Sequence, residues 1–284
     1  MTASKQTLRR RMHSVQSTQK ITNAMQMLAV NKYSFHLNRL HTHISHSKFI
    51  KEVLQRILWQ LEEADGVYLR ENEVSKKAII VFTSDMGLCG SYNQSILQKV
   101  MEIADEEDVF VVIGKRGHSW LLERGFNVVN KMIKIEEVSD NELKRITDRA
   151  VQAFVNQQVR CVKLVYSKYI NPLVNEPTSL TLLPLAKDKS YNDDQRELIF
   201  EPHELATLEY LVPLYLDTVI SGYRLESMVC EQSARRVSMD KAVDNAEELL
   251  ESLKSTYHKT RQAKITQEIT EIVSGANVRK EGGL

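Results

Sequence analysis

The chain has 284 residues, 42% of them apolar, and its 38 Lys and Arg against 37 Asp and Glu leave a formal charge of +1. That balance excludes a bulk field that would draw the chain onto nucleic acid. Cys89, Cys161 and Cys230 lie too far apart for a metal or redox motif, so reduced thiols are expected. The longest apolar run, Ala78 to Phe82, is far too short to cross a bilayer. The first residues show no signal-peptide pattern, so any membrane association is expected to go through partners.

Residues 1–65 contain neither glycine nor proline, the two residues that punctuate structure. Leu8, Met12 and Val15, then Ile21, Met25 and Leu28, then Ile50, Leu54, Ile57 and Leu61 keep helical spacing. One helix is predicted from Ser4 to Glu62, ended by Gly66. At 1.5 Å per residue it would be roughly 85–90 Å long. His36, His41, His43 and His46 lie on it, but no carboxylate or cysteine sits at the spacing a metal site needs. The run Arg9-Arg10-Arg11 reads equally as solvated surface or as a contact with an acidic partner.

The middle of the chain changes period. Ala78–Phe82, Val109–Ile113, Phe126–Val129 and Cys161–Tyr166 read as strands. Helices are predicted at Asn93–Ala104, Ser119–Arg124 and Ser139–Gln158, the last capped by Ser139 with Glu142 completing a capping box. Alternating strands and helices imply an α/β, Rossmann-like domain with a mainly parallel sheet. The prolines, at 172, 177, 184, 202 and 213, make residues 171–202 strand plus loop, with Asp193-Asp194 as an exposed tip. The glycine turn at 84–90 could cradle a phosphate. It lacks the dinucleotide fingerprint and the Lys-Ser/Thr ending of a P-loop, so a structural turn is the better reading. Neither a Ser/His/Asp order nor a zinc-protease pair is present, and no cofactor or metal is expected.

From Leu214 to Ser274 there is no proline and one glycine, Gly222. Val243, Ala246, Leu250, Leu253, Tyr257, Ile265, Ile269 and Ile272 recur three and four apart. A second helix of roughly 90 Å is predicted, stopped by Gly275. A compact globule of this length has a diameter of only about 50 Å, so such helices must protrude. Two long helices flanking a middle segment are expected to pair as an antiparallel coiled coil. Gln19, Thr22 and Gln26 make its seam polar and weak, which points to an outer sleeve. The fold class is α+β. The expected domains are an N-terminal coiled-coil helix at 1–66, an α/β base at 67–202 and a C-terminal coiled-coil helix at 203–284.

Three blocks carry a family resemblance: SVQSTQKITNAM at 14–25, SDMGLCG at 84–90 and RQAKITQEITEIVSGA at 261–276. In this order, over essentially the full length, the chain resembles the gamma subunits of F-type ATP synthases. The resemblance implies a rotor shaft inside a sleeve of three alpha and three beta subunits, with catalytic groups on beta and alpha and none here. The base would hold epsilon and sit on the membrane c-ring, on the cytoplasmic face of a bacterial membrane. Ion flow, of protons or sodium, would be coupled to ATP synthesis or hydrolysis. Carried over by residue, the resemblance assigns Met25, Arg235, Arg261, Gln262, Thr266 and Glu268 to contacts with beta. It makes Ile265, Ile269 and Ile272 a stripe inside a hydrophobic collar, and Phe200 and Glu201 a contact with the c-ring. Departures from the family pattern fall at Asn23, Ser91, Arg236 and Val278 and in the polar tail 277–284. The cysteine-bearing insertion of the chloroplast form is absent, so no thiol switch is expected. Other readings are the shaft of a divergent rotary ATPase working mainly in hydrolysis, a free-standing coiled-coil adaptor, and an α/β enzyme built on the 84–90 turn.

Overall fold

A computed structural model describes residues 5–60, 67–188 and 204–281. In chain order the elements are α1 (Lys5–Gln60), β1 (Ala78–Phe82), α2 (Tyr92–Ile103), β2 (Val109–Ile113), α3 (Lys115–Glu123), β3 (Asn127–Val128), α4 (Asp140–Val155), β4 (Val162–Asn171), β5 (Val174–Leu183) and α5 (Glu204–Glu281). The chain is α+β, with long terminal helices and a central sheet. It divides into two compact units, one of Met1–Leu28 with Ser238–Leu284 and one of Ala29–Val237.

The larger unit is built on a five-stranded sheet in the order β3-β2-β1-β4-β5. β1 runs parallel to β2 and β4, β2 runs parallel to β3, and only β5 is antiparallel, joined to β4 as a hairpin. All five residues of β1 are buried. Its alternation sends Ile79 and Val81 into a layer with Ile96, Val100 and Leu121 of α2 and α3. It sends Ala78, Ile80 and Phe82 into a layer with Leu143 and Phe154 of α4, Leu54 and Leu58 of α1, and Leu208 to Met228 of α5. A strand covered on both faces reads as an unbroken apolar run because neither face needs polar residues. Each such side chain contributes roughly 1.5–3 kcal/mol by leaving water.

In the smaller unit α1 and α5 run antiparallel: Gln19 donates to Glu247 at 3.1 Å and Gln26 to Asp240 at 2.6 Å. Leu8, Thr22, Met239 and Leu250 are its buried seam residues. Thr22 turns its hydroxyl onto its own helix, donating to the Thr18 carbonyl at 3.0 Å. The polar seam is therefore satisfied by side-chain pairs at its edge and contributes little apolar burial.

Several expectations need correction. α5 does not begin after Pro213 but contains it. The missing N–H and ring clash cost about 3 kcal/mol, and burial of Leu208, Val212 and Leu216 on the core outweighs that. Gly275 does not stop α5, which continues to Glu281. A stop needs a left-handed residue, and Gly275 does not adopt a positive φ. α3 starts at Lys115 rather than Ser119, and β4 runs on to Asn171 because β5 pairs with it. The Ser139 cap is present, its Oγ accepting from the Glu142 amide at 3.2 Å. Asp193 and Asp194 lie outside the described residues.

Gly114 has φ +116°, and a Cβ there would sit 2.0 Å from the Thr83 carbonyl oxygen; at Gly117 it would meet the Thr83 side chain at 2.5 Å. These glycines let α3 close onto the end of β1, where Gly117 N–H donates to Thr83 Oγ1 at 3.0 Å. Gly114→Ala combines a clash with backbone with a strained φ, and urea unfolding of the full chain is expected to show a loss of more than about 2 kcal/mol.

Candidate partner-binding surfaces

The turn at 84–90 follows β1 and is held shut by its own side chains. Ser84 Oγ donates to the Met86 carbonyl at 2.6 Å, and the Ser84 amide donates to Asn93 Oδ1 at 3.0 Å. The Asp85 carboxylate accepts from the amides of Lys115, Ile135 and Glu136 at 3.2, 3.1 and 3.3 Å. Lys115 is the first residue of α3, so Asp85 occupies the helix end where a phosphate would bind. The turn is thus braced from within and by amides of neighbouring segments. Asp85, one residue of the block at 84–90, is its main strut. Only contacts distant in sequence reveal that role. Leu88 is held at φ +64°, and Met86 and Leu88 are 60% and 59% exposed at the tip.

Arg235, on α5, points inward. It is buried, with Nη2 2.7 Å from Glu231 Oε1 and 3.3 and 3.4 Å from the carbonyl oxygens of Met86 and Gly87. Glu231 is missing from the sequence-derived site, although its spacing of four from Arg235 is a readable pairing signal. Burial pushes its carboxyl up to about 7, against the pull of the Arg235 guanidinium. Arg224 is a second buried cation, donating to the carbonyls of Ile135 and Val138.

The other expected contact residues on α1 and α5 sit in the smaller unit. Met25 is half-buried on α1, while Arg261, Gln262, Thr266 and Glu268 are exposed on α5. Lys5, at the start of the described α1, lies over the Tyr257 ring at 5.9 Å. Beyond that level every residue from Arg261 to Gly275 is exposed. Ile265, Ile269 and Ile272 are 44%, 56% and 71% exposed, with Val273 at 53%. Their spacing of four and three makes one apolar stripe along the helix. Single exposed apolar residues are ordinary, whereas a contiguous stripe marks an interaction surface. Phe200 and Glu201 lie outside the described residues.

Among the described residues no group of His, Cys, Asp or Glu could hold a metal ion. His36 is buried, and burial lowers it to about 4, so it is neutral at pH 7. His43 Nε2 lies 2.7 Å from the Thr218 carbonyl oxygen. Among the described residues no helix is long and apolar enough to cross a membrane.

Comparison with known proteins gives a consistent result. A family model described as ATP synthase matches residues 4–278. The ATP synthase gamma chain of Clostridium beijerinckii is 35% identical over 278 residues, covering 95% of this chain and 96% of that one. That of Desulforamulus reducens is 34% identical over 278 residues, covering 96% and 98%. Among solved structures, a chain of the Euglena gracilis mitochondrial ATP synthase (OSCP/F1/c-ring, rotational state 3) aligns over 98% of this chain and 95% of its own. Its TM-score is 0.68 and its identity 15%. A chain of the Tetrahymena thermophila central stalk and c-ring structure aligns over 78% of this chain and 99% of its own, with TM-score 0.59 and 21% identity. At such identities these two structures speak for the fold.

Replacing Asp85 tests the strut. Asp85→Ala removes the acceptor of three amides and is expected to lower stability by about 2–4 kcal/mol, with Asp85→Asn recovering part of it. Chemical denaturation of the full chain measures both.

Proposed function

The chain belongs to the ATP synthase gamma-chain family, and from that premise we infer that it is the central rotor shaft of an F-type ATP synthase. It is a non-catalytic subunit; the groups that make and break ATP belong to other chains of the complex. The observation that carries the reading is the bare end of α5, where the isoleucine stripe continues past the first described turn of α1 and has no cover among the described residues.

A sleeve of three alpha and three beta subunits provides that cover. An asymmetric shaft presents a different face to each beta subunit and so has a different interaction free energy with each of its conformations. That difference is what any coupling between rotation and nucleotide state requires. Ile265, Ile269 and Ile272 run in the apolar collar. Met25, Arg261, Gln262, Thr266 and Glu268 face beta, the exposed Arg261 and Glu268 offering charge-assisted hydrogen bonds. Arg235 joins them only by leaving Glu231. Epsilon and the c-ring bind at the α/β base, with Phe200 and Glu201 at the ring. The complex works at the cytoplasmic face of a bacterial membrane, moving protons or sodium ions, and this chain is held there through its partners. On this reading 67–202 is the base, and the segments 1–66 and 203–284 belong to the shaft.

Reconstitution of alpha and beta with this chain, with a rotation probe on the α/β domain, tests the reading. Rotation in thirds of a turn under ATP is expected. Truncation after Thr260 is expected to abolish sustained rotation, and Ile269→Asp to lower ATPase activity several-fold by placing a charge in the collar. Failure of the chain to assemble with alpha and beta would overturn the shaft reading.

A further inference from the structure

The pair Glu231–Arg235 stands apart from the other ion pairs described in the chain. Both side chains are buried, with 3% and 8% of their surface exposed. The carboxylate has one oxygen on the guanidinium at 2.7 Å, while its other oxygen, Oε2, is buried with no hydrogen-bond partner. The guanidinium reaches onward from α5 to two consecutive carbonyls of the 84–90 turn, Met86 and Gly87. Arg235 thus joins a helix to a turn separated from it by well over a hundred residues, and Glu231 is the anion that keeps it there. A buried ion pair with an unsatisfied lone pair is a poor stabiliser. Loss of one charge from such a pair leaves the other buried and uncompensated, so the survivor moves toward water.

We propose that Glu231 and Arg235 form a proton-operated clamp that fixes the 84–90 turn onto α5. With Glu231 ionised, the guanidinium is held inward and the turn is closed on the helix. With Glu231 protonated, Arg235 loses its counter-charge, swings outward and releases the carbonyls of Met86 and Gly87. The tip residues Met86 and Leu88 then lose their fixed orientation. The proton comes from water and returns to it, with no other bond made or broken.

The groups facing the pair leave Glu231 as the one poised in the neutral range. On the turn, the Cys89 thiol is raised by burial. From α2, the wholly buried Tyr92 hydroxyl is raised well above its ordinary value by burial. On α5, burial pushes Cys230 up to about 12. These three stay neutral where Glu231, raised by burial to about 7, changes charge. The carboxylates of Asp85 and Glu136, which favour the protonated form of Glu231, are themselves held, Asp85 by three amides and Glu136 by Lys32 at 2.7 Å. From α3, the Arg116 guanidinium lies against Gly87, 3.1 Å from where a Cβ would stand. Because the folded value lies above the unfolded one, the stability contributed by this group is present at acid pH. It is lost as pH rises through about 7. Closing the clamp therefore costs global stability while it orders the turn.

Amide hydrogen exchange of the full chain, read by mass spectrometry from about pH 5.5 to 8.5 and corrected for intrinsic rates, tests the clamp. The amides of residues 86–90 are expected to gain protection about three- to tenfold as pH rises, with a midpoint near 7. Glu231→Gln is expected to hold them at the loose level at every pH, and Glu136→Gln to keep the step. The wild-type titration needs no variant to fold: a flat profile for residues 86–90 overturns the proposal. A step that persists in Glu231→Gln overturns it equally. A midpoint that follows the exchange of the whole chain, rather than the turn alone, also counts against it.

Discussion

Burial of one face of α5 between Leu208 and Cys230 is the constraint from which the larger unit is built. Leu208, Val212, Leu216, Ile220 and Met228 close the layer on one side of the sheet, and Cys230 enters the layer on the other. The same helix carries the bare isoleucines some forty residues further on. One continuous element is therefore core at its start and exposed apolar surface at its end. Its helical backbone runs on past the interruption at Pro213, so the transition from core to surface needs only a change of side chains. That is why the period of apolar residues continues unbroken through Leu250 while their exposure rises.

How much of this was legible in the sequence depends on the range of the interaction that decides each element. β1 and β2 were readable to the residue, because a strand covered on both faces must be apolar at every position. The Ser139 cap was readable because its partner lies three residues away. The start and end of α5 were misjudged because local rules for Pro213 and Gly275 gave way, the first to packing. The second gave way because glycine permits a left-handed turn without requiring one. Asp85 and Arg235 were the harder cases. Asp85 holds amides thirty to fifty residues away, and Arg235 bonds carbonyls across more than a hundred. Nothing local distinguishes such residues from solvated ones. The exposed stripe at 265–272 was visible as a period, and the family blocks supplied its expected cover.

Polar groups inside the larger unit follow a common rule. Asp85, Arg224 and Arg235 each terminate on backbone groups of an element remote in sequence. Apolar layers alone would tolerate sliding of α3, the 133–138 segment and the 84–90 turn over the sheet. Directional bonds to specific amides and carbonyls fix them in register, so the polar residues contribute uniqueness more than net stability.

The exposed isoleucines also bear on the life of the chain before it meets any other. A newly made copy carries a contiguous apolar strip at one end of α5, of the kind that drives promiscuous association. Its concentration as an orphan is therefore limited by its own chemistry. An uncovered copy carries that strip as an aggregation liability. The feature that makes the chain useful in an assembly thus also sets an upper bound on how far its synthesis can outrun that of its neighbours.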